Sequence, residues 1–135
     1  MATVSVRYFV LEIDPAIEFY SELLGFHVDM HPNPSFAMLS RGDLRLVLSV
    51  PGAGPGGGKA MPDGTLPEPG GWNRFQLEVA DLEATVATLR AHGARFRNEI
   101  VVGIGLKQIV VDDPSGNPIE IDEPTIAEAH LAQPA

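Results

Sequence analysis

The chain repeats one order of secondary-structure signals, and this repetition limits its fold more than any other feature. A strand pattern at 4–10 is followed by a helix pattern that ends at Gly25, and a second strand pattern at 72–79 is followed by a helix pattern that ends at Gly93. Three further strand patterns follow each helix. Because the two glycines lie 68 residues apart, the repeat spans about half of the chain, which indicates a duplicated βαβββ unit.

In the first module, which spans about 4–50, alternating apolar and polar residues predict the opening strand. Asp14 is a candidate N-cap for the helix, and Pro15 lies where the first helical turn accepts proline. We expect the aromatic side chains of Tyr8 and Tyr20 in the core, because strand alternation and helical spacing direct them to the interface between helix and sheet. The three following strands are predicted near residues 26–31, 35–40 and 44–50.

In the second module, which spans about 72–122, Asp81 is a candidate N-cap, and apolar residues at helical spacing follow it until Gly93. The tail at 123–135 contains a segment, near 125–131, that could form a short helix. The three strands after the helix are predicted near residues 95–102, 106–112 and 118–122.

A segment rich in glycine and proline, residues 51–71, separates the modules and includes the run Gly56-Gly57-Gly58. The run is not a phosphate-binding loop, because no GK[ST] sequence follows it. The segment is therefore either a linker or a lid over a ligand. At 135 residues the whole chain has the size of one domain, so we expect residues 1–135 to form a single domain made of both modules.

Composition excludes several classes of function. The formal net charge of −9 repels phosphate backbones, so nucleic acid is not an expected partner. The absence of cysteine excludes disulfides, thiol nucleophiles and thiolate metal sites. No apolar run approaches the length of a membrane span, and the N-terminus lacks the pattern of a signal peptide, so we expect a cytoplasmic protein that does not bind membranes.

Near the end of the chain, a turn at 113–117 precedes a short strand in which Glu120 lies between Ile119 and Ile121. Asp and Pro favour the first half of such a turn, and Gly and Asn tolerate left-handed backbone. Because side chains alternate along a strand, Glu120 and Asp122 point away from the two isoleucines. If the isoleucines face the core, this carboxylate faces either solvent or a cavity.

The same alternation applies to the strand at 73–79. Phe75, Leu77 and Val79 form its apolar face. The opposite face therefore carries Arg74, Gln76 and Glu78.

Two motifs resemble those of the vicinal oxygen chelate superfamily, which includes glyoxalase I, bleomycin-resistance proteins and extradiol dioxygenases. One is FY-x-x-x-LGF within 16–26, and the other is DP-x-GN-x-x-E at 113–120. The resemblance covers residues from about 4 to 122. It implies an α+β fold in which two tandem βαβββ modules form a curled mixed sheet around a cleft. It says less about function, because fold and function are separable.

In the metal-dependent members of this superfamily, His, Gln or Glu side chains on the first and fourth strands of the modules hold a divalent ion. Of the matching positions in this chain, only Glu120 offers a plausible ligand, whereas such an ion needs about three or more protein donors. None of the four histidines lies at a matching position. We therefore expect no metal and no other cofactor. The matching positions are Ser5, Val47 or Arg45, Arg74 or Asn73, and Glu120.

The resemblance also places the polar strand faces on the concave side of the sheet. We predict that Arg74 forms an ion pair with Glu120 there, so that a guanidinium replaces the metal. Glu78 and Glu120 are candidates for a general acid and base, although no catalytic role is assigned. The predicted ligand-binding residues are Arg7, Trp72, Arg74, Gln76, Glu78, Gln108 and Glu120.

These features favour a glyoxalase-like or bleomycin-resistance-like protein that binds a small molecule in a polar cleft, without the usual divalent ion and as a homodimer. The alternative is a metal-dependent lyase, isomerase or dioxygenase of the same superfamily.

Overall fold

The computed structural model describes residues 2–53 and 57–131, and the chain divides into two compact units. Gly56 of the glycine run lies outside the described residues, as does the end of the tail beyond 131. Unit 1 comprises Met1–Gly70 with the turn Pro114–Asn117, and unit 2 comprises Gly71–Asp113 with Pro118–Ala135.

Unit 1 contains the predicted βαβββ order. Its mixed sheet has the strand order β1-β4-β3-β2, in which β1 and β4 are parallel and the other neighbours are antiparallel. Its elements are β1 (Val4–Phe9), α1 (Ile13–Glu18), a π-helical turn (Phe19–Leu23), β2 (His27–Asn33), β3 (Phe36–Arg41) and β4 (Leu44–Ser49).

The first helix begins earlier than predicted, and the prediction that Asp14 is its N-cap was wrong. The helix starts at Ile13, and the side chain of its N-cap residue Glu12 makes no capping hydrogen bond. This start buries Ile13 and Ala16, which are 3% and 0% exposed. Asp14 then lies inside the first turn, where its negative charge still favours the helix dipole. The burial of the apolar residues therefore outweighs a side-chain cap.

Aromatic side chains fill the core of unit 1, as predicted for Tyr8 and Tyr20. Tyr20 is completely buried and contacts Phe19 and Phe26 edge to face, with ring centroids 5.2 and 5.5 Å apart. The tight turn between Tyr20 and Phe26 requires a left-handed backbone, which Gly25 adopts with a φ of 73°.

Unit 2 repeats the βαβββ order with an additional strand. Its sheet has the order β5-β9-β8-β6, and β7 also pairs with β8. The β5–β9 pair is parallel, and β8 is antiparallel to its neighbours. The elements are β5 (Gln76–Glu78), α2 (Leu82–Ala91), β6 (Arg95–Phe96), β7 (Val101–Val102), β8 (Leu106–Asp112), β9 (Pro118–Pro124) and a 3-10 turn (Ala127–Ala129).

Two predicted strands of unit 2 are shorter than the sequence pattern indicates. β5 begins at Gln76 rather than at 72. The strand predicted at 95–102 is divided into β6 and β7, because Asn98 interrupts the ladder: its side-chain Oδ1 accepts a hydrogen bond from the amide of Val110 at 2.9 Å. A side chain thus replaces a backbone partner and ends the pairing.

Helix α2 covers the apolar face of the unit 2 sheet. Asp81 caps it as predicted, since its Oδ1 accepts a hydrogen bond from the amide of Ala84 at 3.0 Å. Leu82 and Leu89 are fully buried on the inner side of the helix, which contacts β9. The opposite face of the sheet is therefore left for the polar side chains.

The predicted α+β class and the tandem βαβββ order are confirmed, and the strands form two mixed sheets, one in each unit. None of the helices among the described residues is long and apolar enough to cross a bilayer.

Candidate functional site

The polar face of unit 2 is formed by residues that alternate with the buried apolar ones on β5, β8 and β9. In the parallel β5–β9 pair, Gln76 lies opposite Glu120 and Glu78 lies opposite Asp122. Gln108 on β8 lies opposite Asp122 from the other side. The predicted alternation is therefore correct, and these five residues define what we call the polar face.

Both carboxylate oxygens of Glu120 accept hydrogen bonds. It is only 4% exposed, yet its Oε1 accepts hydrogen bonds from Nε and Nη2 of Arg74 at 3.1 and 2.9 Å. Its Oε2 accepts one from Nε2 of Gln76 at 2.7 Å. The predicted ion pair is confirmed, and it compensates the cost of burying the carboxylate.

Asp122 has a strongly raised pKa. The sequence pattern placed it on this face but did not include it among the site residues. It is 8% exposed, and within the described part of the chain its Oδ1 has no hydrogen-bond partner. Burial, followed by a hydrogen bond with Glu120 and by the charge of that residue, raises the pKa of Asp122 to about 7. Glu120 therefore favours the protonated form of the Asp122 carboxyl.

Glu78 is held by the segment that follows β9. The amide of Leu131 donates a hydrogen bond to Oε1 of Glu78 at 2.7 Å, and Nδ1 of His130 lies 3.4 Å from Oε2. This candidate acid or base is therefore engaged by the chain itself. Gln108 is half-buried beside Asp122. The binding roles of Glu78 and Gln108 remain predictions.

Trp72 lies just before the polar face and is 70% exposed. The guanidinium of Arg97 stacks over its ring at 4.6 Å from the centroid. Arg97 is fixed by hydrogen bonds of 2.6 Å from Nε to Oδ1 of Asp112 and from Nη1 to the carbonyl of Gly71. Sequence reasoning missed Arg97 and Asp112, because their pairing depends on the register between β6 and β8.

Arg7, the remaining predicted site residue, belongs to unit 1. It lies on β1 opposite Val47, and its guanidinium fills the space that a side chain at Gly57 would occupy. Its role in ligand binding remains a prediction.

A second group of carboxylates, Asp81, Glu83 and Glu123, has oxygens within 4.8 Å of one another. Nζ of Lys107 already lies 2.9 Å from Glu83 and 3.3 Å from Glu123, and it lowers the pKa of Glu83. Asp81 caps α2, and Glu123 accepts a hydrogen bond from the amide of Leu82 at 2.8 Å. These contacts explain the cluster as support for the helix N-terminus.

Unit 1 contains an open groove of about 610 Å³. Its two charged lining residues, Glu12 and Asp14, are both exposed. It offers none of the buried, hydrogen-bonded charge of the polar face, so we place the candidate site in unit 2. The groove is lined by Leu11, Glu12, Ile13, Asp14, Pro15, Asn33, Pro34, Ser35 and Val50.

The sequence comparison supports the resemblance noted from the motifs. Residues 3–121 match the sequence profile of the glyoxalase/bleomycin resistance protein/dioxygenase superfamily. The chain belongs to this superfamily. No curated protein sequence matches the chain significantly.

Solved structures of superfamily proteins share the fold. A lactoylglutathione lyase from Agrobacterium tumefaciens has a TM-score of 0.70 at 17% identity, covering 90% of this chain and 92% of its own. A superfamily member from Sphaerobacter thermophilus has a TM-score of 0.69 at 24% identity, with 91% and 98% covered. An antibiotic-binding protein from a Streptomyces species has a TM-score of 0.61 at 23% identity, with 88% and 93% covered. These likenesses concern the fold alone.

The residues at the superfamily's metal positions do not fit a divalent ion. In unit 2, both oxygens of Glu120 accept hydrogen bonds, Oε1 from the guanidinium of Arg74 at 2.9 Å and Oε2 from the amide of Gln76 at 2.7 Å, so a positive charge already pairs with this carboxylate. In unit 1, Ser5 lies opposite Arg45, and Val47 is apolar and 4% exposed. One carboxylate beside an arginine is not a donor set for Zn²⁺ or a similar cation.

Proposed function

We propose that this superfamily member binds a small organic molecule at the polar face of unit 2 and does so without a divalent ion. Arg74 and Glu120 anchor the site. The observation that carries the proposal is the buried Glu120 carboxylate, held by Arg74 and Gln76 at a position where metal-dependent members have a ligand. A buried charge of this kind is costly unless it is paired, so its presence away from the apolar core favours a functional role.

Arg74 has donors left for a ligand. A guanidinium has five N–H groups. Two of them bind Glu120, and a third, on Nη1, binds the carbonyl of Trp72 at 3.3 Å. Two N–H groups therefore have no partner among the described residues, and the side chain is 30% exposed. A ligand with an acceptor oxygen can bind there while the ion pair with Glu120 stays intact.

The mode of action that we propose is sequestration of the ligand by a homodimer in the cytoplasm. The fold is shared with an antibiotic-binding protein, which supports binding as a use of this scaffold. The segment 51–71 is either a linker or a lid in this proposal.

Thermal unfolding with a panel of metabolites and antibiotics, in the presence of a chelator, tests the proposal. A ligand that binds only the folded protein stabilises it by about 2.7 kcal/mol at 100 times its dissociation constant. We expect stabilisation that survives the chelator. In Arg74→Gln the affinity should fall at least about tenfold, as for a lost charge-assisted hydrogen bond.

Arg90→Gln is the matched control, because Arg90 lies on the outer side of α2 in an exposed pair with Glu99 at 3.5 Å. Its affinity should equal that of the wild type. Binding that requires an added metal, or that is unchanged in Arg74→Gln, contradicts the proposal. Calorimetric titration below the melting temperature of each variant separates lost binding from lost stability.

Asp122 favours one second candidate, an enzyme that transfers a proton. A buried carboxyl with a pKa near 7 can act as acid or base at neutral pH. The metal-dependent lyase, isomerase and dioxygenase activities of the superfamily would need ligands that this site does not offer. Turnover of a bound compound with a rate that depends on pH near 7, and that is lost in Asp122→Asn, would favour the enzyme. Binding without turnover favours sequestration.

A further inference from the structure

Trp72 presents an exposed ring on which an aromatic ligand could stack. The indole is 70% exposed, although large apolar side chains gain by burial. Arg97 covers one side of it and is held by Asp112 and by the carbonyl of Gly71. The Arg97 side chain is only 18% exposed, so the ring packs on a guanidinium whose position is fixed. A rigid, exposed aromatic face loses little conformational entropy when a second ring stacks on it.

The stacked arginine also determines which ring the face prefers. Cations bind to the electron-rich face of an indole. Here Arg97 already makes that contact, and its positive charge repels a second cation at the same ring. The outer face is therefore less attractive to a second cation, and it favours a neutral or anionic ring instead.

Arg74 provides the polar end of the same site. It lies two residues after Trp72 and binds the carbonyl of that residue. It also has two N–H groups without a partner in the described part of the chain. A planar ring over Trp72 that carries an oxyanion could direct its oxygen to these donors, which bind carboxylate geometry well.

We propose that the ligand is a planar aromatic compound bearing an oxyanion, with its ring on Trp72 and its oxygen at Arg74. The inference rests on the proposed function and names the class of ligand. Neither the superfamily assignment nor the structural likenesses select this class. It depends only on the geometry of Trp72, Arg74 and Arg97.

The test uses three simple probes: benzoate, cyclohexanecarboxylate and benzylammonium. Trp72 is the only tryptophan of the chain, so its indole N–H gives a single NMR resonance for each titration. We expect benzoate to shift this resonance and to bind about fivefold more tightly than the non-planar acid, the size of an aromatic stacking contribution. Benzylammonium should bind more weakly than either acid. Titrations at physiological ionic strength screen the general repulsion of anions by the acidic protein.

Variants separate stacking from structure. Trp72→Leu should reduce the affinity for benzoate to that for cyclohexanecarboxylate, whereas Trp72→Phe should retain most of the preference for benzoate. Both variants lack the indole N–H, so their titrations follow the backbone amide resonances that benzoate shifts in the wild type. Arg74→Gln should reduce the affinities for benzoate and for cyclohexanecarboxylate by the same factor. Equal affinities for the two acids in the wild type, tighter binding of benzylammonium, or no response to benzoate up to its solubility limit would overturn the inference.

These outcomes differ from a failure of the proposed function. If compounds of other shapes bind with dependence on Arg74 but not on Trp72, the ligand class is wrong and the binding function stands. If the panel and benzoate are all silent, both proposals are contradicted.

Discussion

The two units share a backbone arrangement and differ in what it holds. In each, the first strand of the module is parallel to the last. In unit 1 this pairing sets Ser5 opposite Arg45, both exposed. In unit 2 it sets Gln76 opposite the buried Glu120, whose proximity contributes to the raised pKa of Asp122. The duplication of a fold therefore does not duplicate a site, and the buried charge of this chain is concentrated in unit 2.

The difference extends to the length of the parallel strand pair in each unit. The β1–β4 pair has six register positions, whereas the β5–β9 pair has three, because β5 begins only at Gln76. The residues before it, Trp72 to Phe75, supply Arg74 and the exposed ring instead of ladder pairs. The first strand of unit 1 thus pairs along its whole length with β4, whereas the corresponding segment of unit 2 pairs over only three positions and uses the residues before them for polar and aromatic side chains.

The largest expected effect comes from breaking the ion pair in unit 2. Arg74→Ala leaves the buried Glu120 without its cation, which should lower the free energy of unfolding by about 3 kcal/mol. Arg45→Ala changes an exposed residue of unit 1 and should cost less than about 0.5 kcal/mol. Urea denaturation of both variants measures the contrast.

Glu120→Gln in the Arg74→Ala background is the control for this prediction. Removing the second charge should recover part of the lost stability, because the penalty comes from an unpaired buried carboxylate. Equal costs for the two arginine variants would show that the units do not differ in the way described.

The next effect concerns pH. The folded-state pKa of Asp122 is raised from 3.8 to about 7, so between these values the folded protein binds more protons than the unfolded chain. Its contribution to stability is complete below pH 3.8 and is lost as the pH rises through about 7. Asp122→Asn keeps a donor for Glu120 and removes this loss. The free energy of unfolding of the variant, minus that of the wild type, should rise by on the order of 2 kcal/mol between pH 4 and pH 8.

Chemical denaturation at a series of pH values measures this difference. Asp43→Asn, which changes an exposed residue of unit 1, should show the same pH dependence of the free energy of unfolding as the wild type. A constant difference between Asp122→Asn and the wild type from pH 4 to 8 would mean that folding does not raise the pKa of Asp122.

The smallest effect compares the two helices. Asp81→Ala removes the cap of α2 and should cost about 1 kcal/mol, whereas Asp14→Ala in α1 should cost less than about 0.5 kcal/mol because no side-chain cap is present there. Thermal unfolding of the two variants is sufficient. A larger cost for Asp14→Ala would indicate that α1 depends on its first-turn charge more than on burial.

Local patterns in the sequence were enough to predict part of this molecule. The helix-ending glycines indicated the duplicated fold, and strand alternation placed Arg74 and Glu120 on one face, where their ion pair is found. Alternation could not predict the pair of Arg97 and Asp112, because the register of β6 against β8 depends on tertiary pairing.

Burial also lies beyond local pattern. The sequence placed Asp122 opposite the isoleucines without indicating that it would be 8% exposed with an unsatisfied Oδ1. The position of Asp14 inside α1 follows from the burial of Ile13 and Ala16, which competes with capping and prevails. Competition of this kind is settled by packing across the module rather than by neighbouring residues.

The central claim is that a guanidinium stands where metal-dependent relatives hold an ion. Elemental analysis of untagged protein, incubated separately with Fe(II), Mn, Ni and Zn and then desalted, tests it most directly. We predict far less than one ion per chain for every metal, and the same result for Glu120→Gln. Retention of nearly one ion per chain by the wild type, lost in Glu120→Gln, would contradict the account and make Glu120 a metal ligand.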